Sequence, residues 1–262
     1  MPDRSLLLVS ETFPDRPAFD TAVSRAILLR VAGGELPDTV RVGRPGAMVA
    51  FGRQDVSSRG YRSAVCAARA GGFEAIERLA GGRAAVFHER TLALALAIRD
   101  ADPWGRTHER FERLATIVAE ALTALGVDAR VGEVPGEYCP GAYSVNARGR
   151  SKLAGIGQRL VRGGAHLGGV VVIGGSDRVR DVLLPVYEAL ELAWDPATAG
   201  SVEDELGDVA PEDVEAAVNE RLAACYELRP MELDARTLEL ARQLEREHLA
   251  PRFERPRSAF RS

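Results

Sequence analysis

Three cysteines, four histidines and a single lysine are the side chains whose chemistry could go beyond packing. Cys66, in Ala64-Val65-Cys66-Ala67-Ala68, and Cys225, in Ala223-Ala224-Cys225-Tyr226, sit in alanine-rich helical sequence and read as small buried hydrophobes. Cys139 differs. It is framed by Pro135-Gly136 and Pro140-Gly141, which places it in a turn-rich loop. A loop cysteine beside cations or free backbone amides can ionise, and the thiolate is the nucleophilic form. No Cys-x-x-Cys pair or Cys/His ligand spacing is present, so no metal site is expected.

Of 34 basic residues only Lys152 is not arginine. Arginine cannot substitute where a compact, rotatable ammonium or a tunable pKa is needed. Lys152 follows Cys139 by thirteen positions, across a strand candidate and a turn, so a strand out and a strand back would bring the two into one pocket. It opens Ser151-Lys152-Leu153-Ala154-Gly155-Ile156-Gly157-Gln158, where Gly155 and Gly157 thin a strand for close approach by a ligand or another backbone. Upstream, the Gly81-Gly82 corner of Arg78-Leu79-Ala80-Gly81-Gly82-Arg83 lets backbone come near a ligand, and Arg78 could hold a carboxylate or phosphate. His88 and His166 lie on strand candidates and are possible partners for a nucleophilic cysteine. His108 and His248 fall in charged helical sequence and read as surface residues.

These residues need a scaffold. Apolar periodicity predicts helices over 20–31, 61–70, 109–125, 176–190 (interrupted or bent at Pro185), 211–224 and 234–248. Strands are expected at 39–42 and 48–51, paired as a hairpin around Arg44-Pro45-Gly46, and at 84–88 and 91–99, paired as a second hairpin. Further strands are expected at 73–79, 129–134, 143–147, 152–161 and 165–173. Hairpins mixed with amphipathic helices, without a regular strand–helix alternation, define an α+β fold of mixed, largely antiparallel sheets flanked by helices. The expected organisation is a catalytic domain over 1–200 and a small helical extension over 201–262, ending in an arginine-rich tail with little to bury.

The 262-residue chain has a net charge of −4 and 46% apolar residues. That balance argues against nucleic-acid binding through phosphates. No apolar run approaches the roughly 20 residues a bilayer span requires, and the first residues lack a signal-peptide pattern, so a cytoplasmic location is expected.

Arg78, Gly81-Gly82, Val86-Phe87-His88 and Lys152-Leu153-Ala154-Gly155 with Gln158, preceded by Gly52-Arg53-Gln54, together resemble the lipoate–biotin ligase/transferase superfamily over roughly residues 20–195. Tyr138-Cys139-Pro140-Gly141, Lys152-x-Ala154-Gly155-Ile156-x-Gln158-Arg159 and Arg162-Gly163-Gly164 look most like its cysteine-dependent octanoyltransferases. Ala80 and Arg83 depart from the usual glycine or apolar residues of the turn. The resemblance implies an acyl tunnel between the Gly-Gly segment and the Lys152 strand. Arg78, Gly81, Gly82, His88, Gly155, Gln158 and His166 would be its substrate contacts. Cys139 would form an acyl-thioester, and Lys152 would hydrogen-bond the acyl oxygen. The implied partners are an octanoyl donor (H protein or acyl carrier protein) and lipoyl-domain acceptors, docking at Arg148, Arg150, Arg159 and Arg162; no cofactor is implied. Two alternatives remain open: an ATP- and Mg-dependent lipoate ligase using an acyl-adenylate, and a non-catalytic acyl-binding relative.

Overall fold

A computed structural model describes residues 5–253. The N-terminal half runs β1 (Ser5–Val9), α1 (Pro17–Ala32), β2 (Thr39–Gly43), β3 (Met48–Phe51), α2 (Arg53–Val56), α3 (Tyr61–Ala70), β4 (Glu74–Glu77), β5 (Ala85–Phe87), β6 (Thr91–Arg99) and α4 (Thr107–Ala124). There follow β7 (Ala129–Val131), β8 (Val145–Ala147), β9 (Ser151–Val161), β10 (Gly164–Val172), α5 (Ser176–Ala189), α6 (Val202–Leu206), α7 (Pro211–Cys225), β11 (Glu227–Pro230) and α8 (Ala235–Leu244). The expected α+β class holds. Among the described residues the strands form an eight-stranded sheet, ordered β11-β1-β2-β6-β10-β9-β8-β7, and a three-stranded sheet, ordered β4-β3-β5.

The large sheet is built on alternation. In β6, Leu92, Leu94 and Leu96 point to one face and pack with Leu167 and Val171 against Leu114, Ile117, Val118 and Leu122 of α4 and Val218 and Leu222 of α7. Each such leucine contributes roughly 1.5–3 kcal/mol by leaving water. The intervening Ala93, Ala95 and Ala97 face the other way, towards α1, and their small size leaves room above the sheet. The small sheet with α3 and α5 packs on that side through Val49, Phe51, Val65, Val86, Val182 and Leu183.

Neither predicted hairpin forms. β2 pairs with β1 and β6 in the large sheet, whereas β3 pairs with β4 and β5 in the small one. β5 and β6 are divided in the same way. Both β2 and β3 are buried along their whole length, so each needs partners on both edges, and a short turn between them crosses from sheet to sheet. The β9–β10 pair is a true hairpin, closed at Arg162-Gly163 with Gly163 at φ +84°. α5 runs unbroken through Pro185. Two strands lie outside the expected set: β1 and β11, which pair in parallel at the edge of the large sheet. The segment from 201 onward therefore supplies a strand as well as helices. The tail expectation for 254–262 lies outside the described residues. Among the described residues no helix is long and apolar enough to cross a membrane.

Candidate active site

β8 and β9 run out and back as the spacing of Cys139 and Lys152 requires, with Asn146 turning the chain by accepting from the Gly149 N–H. Lys152 enters at the start of β9 and is 1% exposed. Its Nζ donates to Glu137 Oε1 at 3.0 Å, the Tyr138 carbonyl at 3.0 Å and the Cys139 carbonyl at 2.8 Å. All three ammonium protons are thus taken by protein oxygens. Gly155 makes room for this side chain, because a Cβ there would stand 3.3 Å from Lys152 Cε. Gly157 makes room for the loop above, because a Cβ would meet the Gly81 carbonyl at 2.7 Å. The two glycines of β9 are spaces for protein atoms first.

Glu137 is the centre of the cysteine loop. Its Oε1 also accepts from Ser144 Oγ at 2.6 Å and the Gly141 N–H at 3.1 Å, and Oε2 accepts from the Val134 N–H at 3.1 Å. Cys139 itself has φ +44°, in the left-handed region that costs a non-glycine residue about 1–3 kcal/mol. The conformation is held from both sides. Lys152 grips its carbonyl, and its N–H donates to Tyr187 Oη at 2.8 Å, which in turn donates to the Ala84 carbonyl.

The Cys139 sulfur faces the Gly81–Arg83 turn. Sγ accepts from the Arg83 N–H at 3.2 Å and from Arg78 Nη2 at 3.4 Å. Burial alone would push the thiol up. The Arg78 charge, the Lys152 charge and these two hydrogen bonds outweigh it and hold the thiol below its ordinary value. Gly82 has φ +107°, and a Cβ there would overlap Arg78 Nη2 and lie 2.9 Å from Sγ. Asp55, fully buried, braces the turn from behind by accepting from the Gly52 N–H at 2.9 Å and from Arg83 Nη1 at 3.3 Å.

A cavity of about 460 Å³ opens beside the sulfur. Arg78, Gly81, Gly82, Cys139, Lys152, Gly155 and Gln158 line it, as do Ala85, Phe111, Tyr143, Ile156, Leu160 and Val170. It runs along β9, and its outer wall is the Phe111–Tyr143 ring stack. Gln158 bridges to that wall, accepting from Arg110 Nε at 2.8 Å. An apolar groove ending at a polarised thiol suits an aliphatic acyl group.

The histidines fall elsewhere. His88 lies outside this cavity, buried under the start of α5, where a Cβ on Gly175 would stand 3.2 Å from its ring. His166 lines a separate small recess under Ala80. Burial lowers His88 to about 4, and burial followed by Arg41 and His248 lowers His166 to about 3. Neither lines the cavity beside Sγ, and the partners of Sγ are Arg78 and the Arg83 amide. His248 is buried too, bonded to the Glu77 carbonyl, while exposed His108 meets Tyr143 Oη at 3.0 Å. The four arginines of the expected docking rim are split between the two ends of β9, roughly 35 Å apart at about 3.3 Å per residue. Arg148 is paired with Glu205. Sequence reasoning assigned no role to Glu137, Tyr187, Asp55 or the Arg83 amide. The only local feature that could have drawn attention to Glu137 is its place two residues before the loop cysteine; its contact with Lys152 belongs to the folded chain.

Buried neutral histidines carry a pH consequence. Between about pH 6.5 and 4 the unfolded chain binds protons that folded His88 and His166 refuse, so stability is complete above about 6.5 and falls as pH drops. The urea midpoint is expected to fall between about pH 7 and 5, and to fall less in a His88→Gln/His166→Gln chain. Equal losses in both chains would assign the acid sensitivity to other groups.

Residues 16–223 match the sequence profile of the lipoyl protein ligase A/B catalytic domain, and the chain belongs to that family. An octanoyl-GcvH:protein N-octanoyltransferase of Geobacillus kaustophilus (strain HTA426) is 28% identical over 172 residues, covering 64% of this chain and 60% of the relative. This chain therefore spans about three-fifths of that relative's length. The octanoyltransferase LipM of Kyrpidia tusciae is 27% identical over 89% of this chain and 92% of its own. Among solved structures, a lipoate-protein ligase A bound with ATP superposes with a TM-score of 0.75 at 18% identity, covering 93% and 95% of the two chains, a likeness of fold alone.

Proposed function

We propose that this chain is an octanoyltransferase of protein lipoylation that works through an acyl-thioester on Cys139. The observation that carries it is a strained, half-buried cysteine whose sulfur accepts from the Arg83 N–H and Arg78 at the end of an apolar cavity. The names of the relatives support octanoate as the group moved and the H protein as donor. In the first half-reaction the thiolate attacks the donor carbonyl, the Sγ–C bond forms, the bond to the donor breaks and the leaving amine takes up a proton. In the second, the target lysine of a lipoyl domain attacks the thioester, loses its proton and restores the thiolate. The covalent stage divides one hard substitution into two easier ones. No step needs a cofactor.

Lys152 contributes charge beside the sulfur and fixes the loop. The hydrogen bond to an acyl oxygen that the resemblance implied requires Lys152 to release one of its three present acceptors. The chain is an enzyme on this reading, acting on acylated and acceptor lipoyl-type domains.

The test is intact-mass measurement after incubation with an octanoylated H protein in the absence of ATP. One octanoyl increment is expected on the wild type and none on Cys139→Ala. Modification of a lipoyl domain only with ATP and Mg²⁺ would place the chain with the ligases. Bound fatty acid with neither adduct nor transfer would make it an acyl-binding relative.

A further inference from the structure

Acyl transfer to a thiol builds negative charge on the carbonyl oxygen, and an enzyme must offer preorganised donors where that oxygen will sit. Donors around Cys139 can be counted one by one. Its own N–H is taken by Tyr187 Oη at 2.8 Å. Residue 140 is proline and has none. The Gly141 N–H is taken by Glu137, and so is one Lys152 proton, the other two being held by the Tyr138 and Cys139 carbonyls. Two donors remain directed at the sulfur: the Arg83 N–H and the Arg78 guanidinium. Arg78 also has a buried Nε without a partner among the described residues, and its side chain lines the cavity. A buried donor left unbonded is costly, and at the wall of a substrate cavity it points to an acceptor on the ligand.

We propose that Arg78 and the Arg83 amide form the oxyanion site of this chain, and that the Lys152–Glu137 pair is the clamp that holds the cysteine loop. The idea rests on the acyl-thioester chemistry above. Before attack the two donors stabilise the thiolate. As the Sγ–C bond forms, the sulfur gives up its negative charge and the adjoining acyl oxygen gains it. The donors then follow the charge over a shift of one bond. Collapse of the intermediate returns the electron pair to the carbonyl and expels the donor's amine or thiol, and deacylation retraces the path. Gly82 is required in this arrangement, since any side chain would part Arg78 from the sulfur.

The experiment compares two reactions of the same sulfur. Alkylation by iodoacetamide needs a thiolate but builds no oxyanion. Acylation by S-octanoyl-N-acetylcysteamine needs both. Each is followed at Cys139 by peptide mass, at a pH where alkylation has reached its plateau. Arg78→Gln is expected to lower acylation about 100- to 1000-fold, with plateau alkylation kept within about threefold. Arg78→Lys, which keeps a cation without the fork, serves if the glutamine chain fails to fold, and should show the same bias towards alkylation. Parallel loss of both reactions would leave Arg78 as a thiolate stabiliser only and overturn the assignment. Undiminished acylation in Arg78→Gln, with selective loss in Lys152→Met, would return the oxyanion to the lysine. A wild type that alkylates but never acylates at Cys139 would instead remove the thioester chemistry itself.

Discussion

Glu137→Ala is expected to cost this protein about 3–5 kcal/mol of folding stability, the usual penalty for stripping one partner from a buried ion pair. The pair is fully enclosed, with side-chain exposures of 1% for Lys152 and 0% for Glu137. Removing the carboxylate also takes the acceptor from the Ser144 hydroxyl and the Gly141 and Val134 amides. Against a typical total of about 5–15 kcal/mol, that loss brings a domain close to unfolding at ambient temperature. The companion variant separates charge from shape. Glu137→Gln combined with Lys152→Met removes both charges at nearly constant volume, and should recover at least half of the lost stability while transferring no acyl group. The two carbonyls that Nζ grips would then be free, and the left-handed Cys139 would relax. Urea unfolding at neutral pH measures the first effect and intact-mass acylation the second. A loss below about 1 kcal/mol in Glu137→Ala would mean that water enters and replaces the carboxylate.

What the sequence disclosed follows from the range over which each feature is determined. α3 was legible because its apolar spacing and the glycines that end it, Gly72 at φ +82°, are all local. The proximity of Cys139 and Lys152 was legible for a related reason, as thirteen residues of strand, turn and strand leave the chain few ways to run. Strand partners were not legible. The turn at Arg44-Pro45-Gly46 carries every hairpin signal, yet β2 and β3 part, because partner choice depends on which distant edges are free. β11 escaped notice since four residues containing Glu227, Arg229 and Pro230 show no apolar alternation, and its place is set by the exposed edge of β1.

The polar side of the site divides in the same way. His88 and His166 attracted attention by residue type, but burial makes them neutral packing groups. Glu137, Tyr187 and Asp55 carry no motif that marks them. Their meaning appears only when Lys152, the Cys139 amide and Arg83 arrive from 15, 48 and 28 residues away. Burial of polar groups is tolerated where every donor finds an acceptor, and that condition is a property of the folded chain.

Gly52→Ala should disable the site from a residue that does not line it. Gly52 sits at φ −83° and ψ 165°, an extended conformation open to any residue, so alanine carries no conformational penalty there. The obstacle is steric. A Cβ on Gly52 would overlap the Gly82 carbonyl oxygen, and since the collision is with backbone no rotamer relieves it. The Gly81–Arg83 turn must move, taking the Arg83 N–H from the sulfur and loosening the Asp55–Arg83 contact. The thiol should then climb towards the ordinary cysteine value near 8.5, and the share present as thiolate at neutral pH falls. Octanoyl transfer should fall further, by about 100-fold or more, because an amide donor to the developing oxyanion is lost as well. The pH profile of Cys139 alkylation reads the shift directly. Gly72→Ala is the control: its φ of +82° makes alanine cost about 1–2 kcal/mol, but nothing lies within 4 Å of the new methyl and the site is untouched. Equal alkylation profiles in Gly52→Ala and wild type would show that the turn and the sulfur are not coupled through the Gly52–Gly82 contact.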